Sequence, residues 1–246
     1  MKEKLLKLEE IISTCLFTCL AALFAMVLLN TFIENTLYMC SKVHGVGFTI
    51  YKPGNYVGLF AGFLAYIFAM AFMAIPRVRH NLTWFMKFTH ELTHTLVALI
   101  FFGKIREFVV RDKECYVSYL TGPIGYVPIT LSPYCIPIYT FMLFPFRFAG
   151  DSHYLIIFDF LIAFSYAFHV HSFIKQTRFT QPDIINCGKA RSVAFISFVH
   201  LWVLSVIMAT PKGGVINALS RVCYEYPVKL LSDPVAWYIE LKKLLC

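Results

Sequence analysis

The sequence has few charged residues. Of its 246 residues only 15% are Asp, Glu, Lys or Arg, whereas 59% are hydrophobic. A soluble domain of this length needs a polar surface, and this composition does not supply one. The shortage of charge therefore excludes an ordinary soluble domain and predicts an integral membrane protein.

The sequence also lacks a concentrated basic patch and paired cysteines. The net charge is +8, but the Lys and Arg residues are spread over many loops. This pattern excludes a nucleic-acid partner and indicates contact of the loops with the headgroups of a lipid bilayer. The eight cysteines contain no C-x-x-C pair, so neither a disulfide framework nor a cysteine metal site is predicted.

Apolar windows set the predicted architecture. Each is long enough, or nearly long enough, to cross the hydrocarbon core of a bilayer, and they cover residues 11–33, 56–75, 82–102, 154–174 and 192–209. The prediction is an all-α integral membrane protein with about five to six transmembrane helices, a proline-broken re-entrant segment and a short β-hairpin.

The re-entrant segment is predicted for residues 117–146. This stretch is apolar but contains five prolines, at positions 123, 128, 133, 137 and 145. A continuous helix of this length would measure roughly 45 Å, well above the hydrocarbon thickness of about 30 Å. Prolines also leave backbone groups unpaired, which a membrane segment tolerates only under cover of protein or water. We therefore expect this stretch not to make a single crossing.

The chain is predicted to form a single integral membrane domain over residues 1–246. No internal repeat divides it. Residues 82–209 form the predicted core, and residues 210–246 a tail that Pro227 and Pro234 cut into short amphipathic pieces. Such pieces are expected to lie on the membrane surface.

One motif carries chemistry. His90, Glu91 and His94 form H-E-x-x-H. On a helix, positions i and i+4 share a face, so both imidazoles can bind one Zn²⁺ ion while the glutamate reaches a water on the metal. Zinc lowers the pKa of that water and the carboxylate accepts its proton, which is the layout of a hydrolase. Ionisable groups at membrane depth are costly and usually functional.

The motif and its surroundings resemble the site-2 protease family of intramembrane zinc metalloproteases, in its divergent bacterial branch. After the motif helix, residues 103–120 place Phe108–Val110 and Tyr116–Val117 around a polar turn, which predicts a β-hairpin. The family motif N-x-x-P-x-x-x-L-D-G is absent. The resemblance implies a multi-pass protease of a bacterial inner membrane that cleaves a membrane-anchored protein or peptide, with Glu91 as catalytic base.

A third zinc ligand is needed, and two aspartates are candidates. Asp159 lies just inside an apolar window, and Asp183 follows Pro182, which can start a helix. The "QPD" stretch resembles the late aspartate of the divergent branch. A segment 117–146 that turns back would also bring Asp183 to the depth of His90. Asp183 is therefore the favoured third metal ligand beside His90 and His94, and Asp159 the alternative.

Four further side chains are possible ligands or lining residues of the site. Glu107 and Glu114 belong to the predicted hairpin, which is expected beyond the far end of the motif helix. His169 and His171 stand at i and i+2, so on a helix they point apart, and one of them can line the site.

Three other functions remain open on the sequence. A non-catalytic membrane adaptor, derived from a protease, would keep the fold without the reaction. A di-metal hydroxylase needs clustered histidine boxes, which the eight scattered histidines do not form. A different zinc protease would take a late glutamate as ligand, but only Glu225 and Glu240 follow residue 114.

Overall fold

A computed structural model describes residues 2–43, 56–111, 114–150, 154–235, 238, 239 and 242, which are mostly helical. The elements in chain order are α1 (Lys2–Val43), α2 (Val57–Met70), α3 (Pro76–Ile100), β1 (Lys104–Val110), β2 (Cys115–Leu120), α4 (Pro123–Cys135), α5 (Ile138–Ala149), α6 (Leu155–Gln176), α7 (Pro182–Asn186), α8 (Lys189–Ser220) and α9 (Tyr226–Ser232). A 3₁₀ turn at Ala71–Ala74 extends α2, and a π turn at Arg221–Glu225 joins α8 to α9.

Within these described ranges, three helices are long and apolar enough to cross a membrane, namely Leu5–Thr36, Leu155–Gln176 and Lys189–Ser232. The pair α4–α5 makes a fourth if it counts as one bent span. The predicted window 56–75 corresponds to a shorter apolar helix, Val57–Met73. Helix α3 is not apolar enough to count as a candidate span, because its motif residues are polar. The structure thus supports three to four candidate spans.

The segment between the hairpin and α6 is broken, as its prolines predict. Pro128 and Pro133 lie inside α4 and Pro145 inside α5, and the two helices meet at 84°. The broken segment begins at Pro123 rather than at residue 117, because residues 117–120 belong to β2. Such a bend fits either a broken span or a re-entrant loop, so re-entry stays a prediction.

The core continues past residue 209. α1 packs along α8, and the cluster that contains Phe24 and Val27 also includes Val222 and Leu230 from the π turn and α9. Polar contacts strengthen this packing: Lys212 and Tyr226 both contact the Glu34 carboxylate, at 3.1 and 2.8 Å. The first half of the predicted tail therefore packs as part of the helical core, and its contact with a membrane surface stays a prediction.

Two glycines let α2 approach α6 closely. Gly58 and Gly62 stand one turn apart, and both face the backbone of α6. A Cβ at Gly58 would lie 2.6 Å from the Ile156 carbonyl oxygen, and one at Gly62 would overlap the backbone of Phe160. Small residues four apart are typical of close helix packing in membranes, where contact between backbones replaces the hydrophobic effect. The α2–α6 pair, which carries Tyr66 and Phe168 of the core around α3, depends on this approach.

The glycine contact makes a stability prediction. Gly62→Ala should lower the free energy of unfolding in detergent by about 1–3 kcal/mol, because backbone atoms cannot move aside for the methyl group. Denaturant titration followed by circular dichroism measures this. Gly122→Ser is the control, since nothing lies within 4 Å of its added Cβ. Equal stability of both variants and the parent protein would contradict the packing argument.

Candidate metal centre

The motif helix α3 places its two histidines one turn apart. Pro76 occupies the first helical turn, where a missing N–H costs nothing. The rings of His90 and His94 lie with centroids 5.0 Å apart, on the face that turns toward α4 and α7. Glu91 and His94 are buried, and His90 is nearly so, with 14% of its side chain exposed. The helix thus delivers both imidazoles to one protected place.

A proline in α4 fixes the orientation of His94. Pro133 has no N–H, so the carbonyl of Ile129 lacks its usual partner in the helix. That oxygen instead lies 2.8 Å from Nδ1 of His94. A carbonyl only accepts, so Nδ1 carries a proton, and in the neutral form of the ring the lone pair is then on Nε2. A metal-binding histidine needs this arrangement, and a backbone carbonyl is a common partner for its other nitrogen.

Asp183 completes the group of possible ligands. It lies in the first turn of α7, directly after Pro182, as the sequence predicts. Its Oδ2 atom is 3.7 Å from Nε2 of His94 and 4.0 Å from Nε2 of His90. Ligand atoms around a tetrahedral zinc lie about 3.3 Å apart, from bond lengths near 2.0–2.1 Å. To reach that spacing, the distances from Oδ2 to His94 and to His90 would have to shorten by about 0.4 and 0.7 Å.

The environment of Asp183 favours its charged form. Burial acts to raise the pKa of its carboxyl, but the His94 imidazole and the Tyr134 hydroxyl outweigh burial and hold the pKa below its ordinary value. Tyr134 donates a hydrogen bond of 2.9 Å to Oδ2. One third of the Asp183 side chain is exposed. The carboxylate is therefore ready to bind a cation, and solvent reaches the site from its side.

Glu91 lies beside this group rather than in it. Its carboxylate interacts electrostatically with both His94 and Asp183, and the backbone N–H of Val117 in β2 provides a hydrogen-bonding contact. The metal-ligating group among the described residues consists of His90, His94 and Asp183, whose ligand atoms lie within 4.8 Å of one another. Glu91 thus lies beside three residues that could hold a metal ion.

The β-hairpin borders the site with the outer edge of β2, which packs on α3 and has no partner strand in the described residues. It pairs Phe108 with Val117 and Val110 with Cys115, and the bond from Arg111 N to Glu114 O closes its turn. Antiparallel pairs alternate between bonded and non-bonded, so the N–H and C=O of Val117 point away from β1. That direction is consistent with the contact from Val117 to Glu91. The predicted hairpin is confirmed.

The position expected for the hairpin was wrong. It does not lie beyond the end of α3 but folds back along the helix, where Phe108 meets Phe88 with ring centroids 6.2 Å apart. Glu107 accepts a hydrogen bond from Tyr116 on the neighbouring strand. Glu107 therefore has a partner within the hairpin, and neither it nor Glu114 joins the metal-ligating group.

The alternative aspartate is occupied elsewhere. Asp159 is buried in α6 and forms an ion pair with Arg147 of α5, at 2.8 Å. Such a buried acid needs its partner because an unpaired charge is costly in an apolar interior. The structure therefore brings Asp183, and not Asp159, to the two motif histidines.

The two later histidines have different surroundings. His171 lies 2.7 Å from the hydroxyl of Tyr66, through Nδ1. His169 lines a small cavity that His90 also borders, and its Nε2 atom has no hydrogen-bond partner in the described residues. The cavity has room for about one water molecule. His169 therefore lies behind the candidate site without joining its ligands.

Several residues that shape the site were not found from the sequence. The carbonyl of Ile129 leaves no trace in a sequence pattern. Gln176, at the end of α6, provides a hydrogen-bonding contact to His90. Tyr134 is 1% exposed, and its ring packs against His90. Only Tyr134 carried a signal, as a hydroxyl-bearing side chain among the prolines of an apolar stretch.

Comparison of the chain with protein-family models, with curated proteins and with solved structures gives no match. The candidate function therefore rests on the geometry of the site and on the motif.

The two aspartates give a direct metal-binding prediction. Asp183→Asn should weaken Zn²⁺ binding by more than the roughly 10–100-fold that is typical of residues that only orient ligands. The matched control replaces the buried pair with apolar residues, Arg147→Met with Asp159→Leu, which leaves no unpaired charge. Competition with a zinc chelator measures the affinity of each purified protein. Weak binding in the control and normal binding in Asp183→Asn would reverse the assignment.

Proposed function

We propose that this protein is an intramembrane zinc metalloprotease that resembles the site-2 protease family and hydrolyses peptide bonds in or near the transmembrane segment of a membrane-anchored substrate. The single observation that carries the proposal is the convergence of His90, His94 and Asp183 beside Glu91. Two histidines and one carboxylate form a known ligand set of catalytic zinc sites, and a fourth position stays open for water.

The H-E-x-x-H spacing favours zinc among the metals that this donor set suits. The two imidazole nitrogens suit zinc, copper or iron, whereas Mg²⁺ and Ca²⁺ prefer oxygen ligands. The hydrogen bond between His94 and the Ile129 carbonyl supports the neutral tautomer that a metal requires. When bound, zinc supplies Lewis acidity that activates water and polarises the scissile carbonyl group.

Glu91 is proposed to move the proton. The water oxygen forms a bond to the carbonyl carbon while its proton passes to the Glu91 carboxylate. The carbon–nitrogen bond then breaks, and Glu91 returns that proton to the leaving amine. Glu91 is 8% exposed and lies next to the ligands without being one, which suits a base rather than a structural acid.

The free edge of β2 is proposed to hold the substrate. A peptide bond within a membrane helix is shielded by the helix's own hydrogen bonds, so the substrate must unwind before cleavage. An unwound segment needs new backbone partners, and strand addition to an open edge supplies them. Val117 presents its N–H on this edge, next to Glu91. A substrate strand there would pass directly beside the proposed base.

The membrane arrangement is proposed to include five to six spans in a bacterial inner membrane. To the three or four apolar spans it adds α2 and α3. α2 packs closely on the apolar helix α6 through Gly58 and Gly62. α3 carries the polar site, and this lowers its hydropathy. Both helices can be covered by their neighbours rather than by lipid.

The rival functions have less support. Within the described ranges a single three-residue ligand group is present, whereas a di-metal hydroxylase requires ligands for two ions. An adaptor would need neither the base nor the ligands, yet all four side chains converge. We therefore favour the protease, and metal analysis separates the three: one zinc per chain, two irons, or no metal.

Glu91→Gln should keep zinc and lose proteolysis by at least about 100-fold, because an amide cannot accept the proton that general base catalysis requires. Zinc content by mass spectrometry and cleavage of a membrane-anchored reporter library in proteoliposomes are the measurements. Glu107→Gln is the control, since Glu107 lies in the hairpin outside the ligand group. Normal cleavage by Glu91→Gln would rule out the assigned role.

Two proline substitutions test the strand edge. Val117→Pro should reduce cleavage at least about tenfold with little loss of stability, because its N–H lies outside the β1–β2 ladder and edge positions tolerate proline. Val109→Pro, in the adjacent bonded pair, should destabilise the hairpin itself. If Val117→Pro cleaved normally, or if it unfolded as readily as Val109→Pro, the edge would have no role in binding substrate.

A further inference from the structure

Tyr134 is held at the candidate site from two sides. It is the penultimate residue of α4, and its ring packs against His90 with centroids 5.2 Å apart. Its backbone carbonyl, near the end of the helix, lies 2.9 Å from Nε2 of His200 in α8. This contact satisfies an oxygen that the helix end leaves without a partner. Tyr134 is thus held through its ring by His90 and through its backbone by His200, which lies outside the ligand group.

The Tyr134 hydroxyl points to the ligand atoms. It donates to Oδ2 of Asp183, the same oxygen that faces Nε2 of both His90 and His94. The hydroxyl also interacts electrostatically with the Glu91 carboxylate. The hydroxyl is therefore bonded to the proposed third ligand and is close enough to the proposed base for their charges to interact, in the region that a reacting carbonyl group would enter.

Neighbouring hydroxyl groups already have other partners. Thr93 donates to the Thr89 carbonyl, and Ser132 donates to the Ile129 carbonyl. The Tyr119 ring packs beside His94, but its hydroxyl pairs with Thr130 at 3.3 Å. Of these described hydroxyls, that of Tyr134 is the one directed at a ligand atom.

We propose that Tyr134 is a catalytic residue that donates a hydrogen bond to the carbonyl oxygen of the scissile peptide as that oxygen becomes negative. This inference rests on the proposed proteolytic function. An Asp183 oxygen that shares its electrons with a cation is a weaker acceptor, so the Tyr134 hydroxyl gains more from a developing oxyanion. No bond within Tyr134 breaks and its proton stays on oxygen, because its role is electrostatic.

The physical basis is preorganisation. The Tyr134 ring is already fixed, so only the hydroxyl proton has to turn from Asp183 to the developing oxyanion, and loss of one such donor typically lowers kcat about 10²–10³-fold. The same hydrogen bond stabilises the uncharged substrate only weakly. Tyr134→Phe should thus lower kcat with KM nearly unchanged.

A binding experiment provides a readout besides activity. The probe is a phosphinic peptide, whose charged tetrahedral group mimics the oxyanion, compared with the amide peptide of the same sequence in the Glu91→Gln background. Adding Tyr134→Phe should weaken binding of the phosphinic peptide about 100-fold and leave binding of the amide peptide and of Zn²⁺ within about threefold. Tyr66→Phe is the matched control, because its buried hydroxyl contacts His171 outside the ligand group, and it should bind both peptides as the parent does.

Each other outcome has a defined meaning. If Tyr134→Phe loses Zn²⁺ affinity, or binds both peptides equally less tightly, Tyr134 only positions Asp183 and the proposal is overturned. If it cleaves and binds like the parent while Glu91→Gln is inactive, this inference fails and the proteolytic function stands. If the parent protein holds no zinc and cleaves nothing, the proposed function itself has failed.

Discussion

A carboxylate must reach two histidines that lie about ninety residues earlier in the chain, and most of the fold contributes to this meeting. One helical turn supplies both imidazoles, but no residue of that helix can provide the third ligand on the same face. Asp183 could supply it from the short helix α7, which follows α6 in the chain and packs against α4 and α8. α4 then closes the site, since it contacts all three groups: the Ile129 carbonyl contacts His94, and Tyr134 contacts both His90 and Asp183.

The buried acidic residues of this apolar chain differ in the partners that compensate for their charge. Asp159 pairs with Arg147, and Glu34 pairs with Lys212 and Tyr226, so each has a positive charge or a donor that compensates for burial. Asp183 accepts a hydrogen bond from Tyr134, but its ion-pair neighbours in the described part of the chain are two imidazoles rather than a Lys or Arg. A metal cation would fit this arrangement. By this reasoning Asp183 is the candidate for ion binding, whereas Asp159 and Glu34 connect helices.

The sequence was informative where the chemistry is local. The H-E-x-x-H spacing, the polar turn of the hairpin and the start of α7 at Pro182 each depend on a few adjacent residues, and each was located correctly. Long-range packing was not accessible in this way. No local pattern shows that the hairpin folds back along α3, that α8 continues beyond residue 209, or that α2 is too short to count as an apolar span. The sequence favoured Asp183 but left Asp159 open, because no local pattern shows that Arg147 of α5 pairs with Asp159 of α6.

The break in α4 has a second consequence. Proline at position 133 removes one donor from the helix, and the acceptor that it releases at Ile129 selects which nitrogen of His94 carries a proton. The missing hydrogen bond in α4 thus helps to determine the tautomer of the His94 ring. Any residue with an N–H at position 133 would compete with His94 for that oxygen. The proton on Nδ1 of His94 therefore depends on the proline at position 133.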